Sequence, residues 1–298
     1  MTIRINPRID LCFKKLFGSS ENKDILIDFI NSVISEADQV VDITLLNPYN
    51  AQSFVGDKLS ILDIKAEDND GKLFNIEIQI SDQEDYDKRA LYYWAKLYSD
   101  QMKAGKGYQE LKKTIGIHVL NFLSIPEKKG YHSVFSIRDL ETNQQKFHDF
   151  ELHTLELIKF DEKTPDDLKS VVSRIGHKLD LWVAFLTKYN VLHKQLLPLK
   201  MEHKAVDKAL SILAHMSLTD TERERYEAGE KWFWDEEAAL HKARKEGVEE
   251  GLERGKKEGI EKVALTMLKK GHDLTSVAEL TELSVEDIKK LQQDKKED

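Results

Sequence analysis

Polar and apolar residues alternate with a period of two from Leu59 to Glu67 and again from Lys72 to Ile80, on either side of the turn-rich Asp68-Asn69-Asp70-Gly71. Such alternation predicts two strands joined as a hairpin. If Asn69, Asp70 and Gly71 form a three-residue loop with Gly71 left-handed, Asp68 faces Lys72 and the register of the ladder is fixed. Ala66 then faces Phe74, Ile64 faces Ile76 and Leu62 faces Ile78, giving one apolar face. On the opposite face Lys65 meets Asn75, Asp63 meets Glu77 and Ile61 meets Gln79.

Elsewhere the spacing is mostly helical. Leu11, Phe13, Leu16 and Phe17 mark a first helix over 10–17, with Asp10 placed to cap its N-terminus. A second helix over 21–34 carries Ile25, Ile27, Phe29, Ile30 and Val33. Residues 40–46 read as a strand ended by Asn47-Pro48. Ala90, Leu91, Trp94, Leu97 and Tyr98 predict a helix over 85–103 that stops before Gly105. Residues 114–122 have the continuous apolar character of a strand buried on both faces, and 133–137 and 151–158 are further strands. A helical region then begins near Pro165 and runs through Leu179, Trp182, Phe185 and Leu186. Mixed α/β architecture follows for a core over 1–195, with a helical connector over 196–240.

The tail, 241–298, has a different grammar. Gly247, Gly251, Gly255 and Gly259 recur every four residues and so share one stripe of a helix. Each costs about 0.5–1 kcal/mol relative to alanine, which calls for a compensating close contact with another helix; a solvated linker helix is the alternative. Segments 264–268, 274–281 and 285–291 then resemble a helix-turn-helix.

Composition narrows the chemistry. In 298 residues there is one cysteine, Cys12, so neither an internal disulfide nor a thiolate zinc cluster holds the fold. No stretch approaches the roughly 18 apolar residues of a membrane helix, and Met1 to Ile9 lacks a secretory pattern. A soluble, cytoplasmic protein with no membrane partner is expected. The formal net charge of -9 argues against a protein that coats nucleic acid through bulk positive charge. It is compatible with a carboxylate-rich hydrolytic site whose basic residues are gathered along one groove.

Two carboxylates facing each other across a ladder repel, and Asp63 opposite Glu77 therefore invites a cation. Mg²⁺ suits such a pair, because it is held by one or two carboxylates together with water and phosphate oxygens. Gln79 can orient a water but cannot accept its proton. Lys65, diagonal to Asp63, is a candidate to face a phosphate. The plainer alternative is a polar sheet face turned to solvent. No phosphate loop, Gly-x-Ser-x-Gly or His-Glu-x-x-His pattern competes.

Asp63, then Asn75-Ile76-Glu77-Ile78-Gln79, Tyr86, Arg89, Tyr93, Gly105, Tyr108 and Ile115-Gly116-Ile117 together resemble the Rpn-type recombination-promoting nucleases and transposases of the PD-(D/E)XK superfamily. The opening Asp10-Leu-Cys-Phe-Lys-Lys-Leu-Phe17 is similar too, and the likeness spans roughly residues 5–190. It implies a restriction-endonuclease-like α/β fold, a mixed sheet flanked by helices with a helical C-terminal extension. It further implies Mg²⁺-dependent DNA cleavage, with Mn²⁺ or Ca²⁺ as alternative ions, and Asp63 and Glu77 as metal ligands. Gln79 stands where the wider superfamily has lysine. Asp10 is carried over as an accessory residue or a helix cap, and Arg89 and Tyr93 as groove residues or packing. DNA and a second copy of the chain, met through the C-terminal arm, are the expected partners. A catalytically inactive nuclease fold that binds DNA or protein is the alternative function.

Overall fold

The computed structural model describes residues 5–47, 49–50, 60–61, 63–81, 85–105, 107–192 and 203–294. Two compact units divide the chain, Met1–Phe233 and Trp234–Asp298. The first is built on a six-stranded mixed sheet in the order β1 (Ile43–Leu45), β4 (Ile64–Asp68), β5 (Leu73–Gln79), β6 (Thr114–Leu120), β8 (Gln145–Glu156) and β7 (His132–Arg138). A separate two-stranded ribbon pairs β2 (Tyr49–Asn50) with β3 (Ser60–Ile61).

The hairpin forms in the register its turn dictates. Gly71 has φ +82, which an L side chain resists, and Asp68 anchors the loop by accepting from the Asp70 and Lys72 amides through its carboxylate. Ile64 then pairs with Ile76, Lys65 with Asn75 and Ala66 with Phe74. The expected ladder ends there. Leu62 lies outside the described residues, and Ile61 pairs with Tyr49 in the small ribbon rather than with Gln79.

One face of the sheet packs on helices whose apolar stripes predict it. Helix α1 (Asp10–Phe17) buries Cys12, Phe13, Leu16 and Phe17, and α2 (Lys23–Val33) buries Ile25, Leu26, Phe29, Ile30 and Val33. Ile27, expected inside, is partly buried beside them. They close over Ile64, Ala66, Phe74, Ile76, Ile115 and Ile117 together with Trp182 of α6 (Lys178–Thr187). The segment expected as a connector contributes to this core as well: α7 (Lys204–His215) buries Val206, Ala209 and Leu213 in it.

The second face is covered by α3 (Tyr86–Ser99), the crossover that parallel β5 and β6 require. Ala90 packs with Phe150 and Leu152 of β8, Trp94 stacks its edge on Phe150, and the Trp94 indole donates to the Thr114 carbonyl at 2.8 Å. Helix α3 ends at Ser99, earlier than its apolar spacing predicts, and the chain reverses at Gly105 with φ +90. Likewise β8 stops at Glu156, since 157–161 turns into the short helix α4 (Leu157–Asp161). Helix α5 (Leu168–Arg174) precedes α6.

In the second unit, the later part of α8 (Asp220–Lys269) continues into α9 (Leu274–Thr281) and α10 (Val285–Asp294), which bury Ala264, Val277 and Ile288 as a small three-helix core. Among the described residues no atom lies within 4 Å of where a Cβ would sit on Gly247, Gly251, Gly255 or Gly259. The glycine stripe thus meets no other element closely among the described residues.

Candidate active site

Glu77 is set by β5 on the face beneath α3, between Asn75 and Gln79. It is not on an open sheet surface, as the alternation alone suggests: α3 leaves it 4% exposed. Asn75 Nδ2 donates to Glu77 Oε1 at 3.2 Å, and Gln79 Nε2 lies 3.4 Å from Oε2. Those two amides and the nearby Arg89 favour the carboxylate. Burial and the negative charge of Asp63 oppose them and win, pushing the Glu77 pKa up to about 7.

Asp63 reaches the site differently from the expected cross-strand pair. It sits at a bend immediately before β4, and its Oδ2 accepts from the Ile78 amide at 2.8 Å. A side-chain oxygen thereby takes the Ile78 donor, and among the described residues the pairing of β4 with β5 begins at Ile64. The other oxygen, Oδ1, is 3.1 Å from Lys14 Nζ. Burial raises the Asp63 pKa despite that ammonium and the amide.

Several site expectations change here. Asp10 is the first helical residue, not the N-cap, which is Ile9; its carboxylate is well exposed and ion-paired with Lys14 at 2.8 Å. Lys65 does not attend Asp63. It lines a crevice of about 550 Å³ at the other end of α3, with Glu67 and Asp100, and burial holds its pKa down. Lys14, one helical turn after Asp10, is the lysine that ion-pairs Asp63. Its position on the polar side of α1 was readable, but nothing local to α1 tells that this side meets residue 63.

Arg89 and Tyr93 line the same recess as Glu77, Gln79, Tyr86 and His118, which as it stands is too tight to admit a water molecule. The Arg89 guanidinium carbon is 5.9 Å from the Tyr93 ring centre. His118, paired across from Glu77 on β6, was not singled out in the sequence because ten scattered histidines give no spacing signal. It is fully buried and neutral, its pKa pushed down to about 4 by burial and by Arg89. Neither ring nitrogen of His118 has a hydrogen-bond partner among the described residues, nor have Asn75 Oδ1 and the Tyr86 hydroxyl.

Unmet polar atoms of this kind are costly in a sealed interior. Gathered around one buried carboxylate, they offer partners to a polar or ionic guest once the side chains lining the recess shift to admit it. Among the described residues no three His, Cys, Asp or Glu side chains converge as a ready-made ligand set. Two acidic groups with amide oxygens nearby nonetheless fit a hard divalent ion, which draws most of its shell from water and substrate.

A family model described as PD-(D/E)XK nuclease family transposase matches residues 7–243. A second, described as Rpn/YhgA-like nuclease family, C-terminal HTH domain, matches residues 257–293. No curated protein and no solved structure matches the chain.

Proposed function

We propose that this chain, which belongs to the PD-(D/E)XK nuclease family transposases, is a metal-dependent DNA endonuclease that hydrolyses phosphodiester bonds, with a link to recombination or mobile-element activity. One observation carries the reading: Asp63 and Glu77, from two different segments, bring mutually repelling carboxylates to one end of β5, both with pKa values raised by burial. Mg²⁺, or Mn²⁺ or Ca²⁺ in its place, is the counter-charge this arrangement accommodates. Bound between those carboxylates, such an ion would polarise the phosphate, acidify a water and steady the leaving oxygen.

The chain's own residues divide the remaining work. Glu77 and Asp63 would hold the ion, and the Ile78 amide and the Asn75 amide fix the rotamers of Asp63 and Glu77. Gln79, with its nitrogen turned to Glu77, has a carbonyl left to accept from water and orient it, though it cannot take the proton. Arg89, steadied over Tyr93, is placed to meet a phosphate at the mouth of the recess. Because α3 covers the sheet face, DNA approaches the end where Asp63 and Gln79 retain partial exposure.

DNA as a partner is supported independently by the C-terminal HTH domain match. The glycine-striped helix serves as an arm for self-association, so that two nicks become a double-strand break. Removing residues 240–298 then lowers the mass measured by light scattering by more than the deleted segment alone; an otherwise unchanged oligomeric state removes that role. For the enzymatic reading the test is nicking of supercoiled plasmid by the purified chain with Mg²⁺. Cleavage that is abolished by chelator and restored by added metal is expected. Absence of cleavage together with saturable DNA binding would leave the non-catalytic binding module instead.

A further inference from the structure

The site as described so far lacks a lysine on the phosphate: Gln79 is neutral, and Lys65 is turned into a crevice with Glu67 and Asp100. Lys14 is differently placed. Its ammonium bridges Asp10 Oδ1 at 2.8 Å and Asp63 Oδ1 at 3.1 Å, yet its side chain remains 36% exposed. A long, partly exposed side chain of this kind can change the partner of its head group without moving the helix.

The helix beneath is held firmly. Cys12, Phe13, Leu16 and Phe17 are fully buried around it. The Gly18 amide closes its last turn on the Lys14 carbonyl at 2.8 Å, where a Cβ on Gly18 would come within 2.7 Å of that oxygen. Asp63 accepts from the Ile78 amide through Oδ2 and faces the Lys14 ammonium through Oδ1, so a cation held by Asp63 would compete with that ammonium.

We propose that Lys14 is the phosphate-contacting lysine of the site, supplied from α1, with Asp10 as its positioning residue. This rests on the nuclease reading. With Asp63 engaged in holding a divalent cation, the Lys14 ammonium would stay tethered to Asp10 and donate to a non-bridging oxygen of the scissile phosphate. As water adds to phosphorus and the bond to the leaving oxygen breaks, negative charge grows on those oxygens; the water's proton passes to solvent, and the leaving oxygen is protonated from solvent. Lys14 remains protonated throughout and acts by charge.

The full-length chain with Lys14→Met, Lys14→Arg or Asp10→Asn is compared with wild type by plasmid nicking in Mg²⁺ and by Mn²⁺ titration without DNA, followed by electron paramagnetic resonance. Lys14→Met lowers kcat on the order of 10²-fold, the usual loss for one transition-state donor. It also tightens Mn²⁺ binding several-fold, because the ammonium no longer competes for Asp63. Lys14→Arg restores part of kcat. Asp10→Asn raises KM for DNA less than it lowers kcat. Nicking by Lys14→Met within about threefold of wild type, or weaker Mn²⁺ binding in it, overturns the proposal, the second outcome meaning that Lys14 only props Asp63. A wild type that binds Mn²⁺ but never nicks overturns the nuclease reading itself, and this inference with it.

Discussion

Glu77→Gln and Asp63→Asn each lower Mg²⁺-dependent nicking by on the order of 10³-fold, a loss of several kcal/mol of transition-state stabilisation. Both substitutions remove charge and little else. Gln keeps an oxygen to accept from Asn75, Asn keeps one to accept from the Ile78 amide, and the partly exposed Gln79 amide can flip to turn its carbonyl to the new NH2 group. Truncation of Asp63 to alanine would orphan that amide and confuse a chemical loss with a structural one. The folded chain also disfavours the ionised form of Glu77, so neutralising it leaves thermal stability unchanged or raises it. Nicking plateaus within threefold of wild type in both variants would mean that these carboxylates are structural.

Trp182→Ala has the opposite signature. Trp182 is fully buried, meets Phe17, Phe29 and Phe185 at ring distances of 5.5–5.8 Å, and donates its indole hydrogen to Asp28 at 2.9 Å. Deleting it removes the group that ties α1 and α2 to α6, and the surrounding rings cannot all collapse into the space. A loss of roughly 3–5 kcal/mol follows for a large aromatic truncated in a core. Urea denaturation followed by fluorescence of the remaining tryptophans measures it. A loss below about 1 kcal/mol, within the range of a surface substitution, would show that the aromatic nest is not the centre of this fold. Activity falls here only with the folded fraction, which separates this residue from Glu77.

The hairpin register was legible because it is local: one loop of three residues, with a glycine able to take φ +82, fixes every pair that follows. Helices α1 and α2 were legible for the same reason, since a stripe of apolar residues needs no partner to be recognised. Even so, Cys12 and Leu26 are fully buried while Leu11 and Ile27 are only partly so, a choice at the edge of each stripe that the apolar pattern alone does not resolve.

What alternation could not show is where a strand stops being a strand. Asp63 looks like the next rung of the ladder, but its carboxylate, not its backbone, engages β5, and Ile61 has already left for Tyr49. Burial of Glu77 is likewise a tertiary fact, because the hairpin does not reveal that α3 returns over its polar face. Lys14 and Lys65 exchange the roles suggested by sequence proximity for a comparable reason. Lys65 is two residues from Asp63 and turns away, whereas Lys14 is 49 residues earlier in the chain and touches it.

The central claim is that Asp63 and Glu77 share one divalent cation, and the most direct measurement is a Mn²⁺ titration of the full chain by electron paramagnetic resonance. Wild type is expected to take up one tightly bound ion per chain, and the Asp63→Asn, Glu77→Gln double variant to lose that class of site while melting as wild type does. Equal Mn²⁺ uptake and affinity in the two proteins would contradict the account.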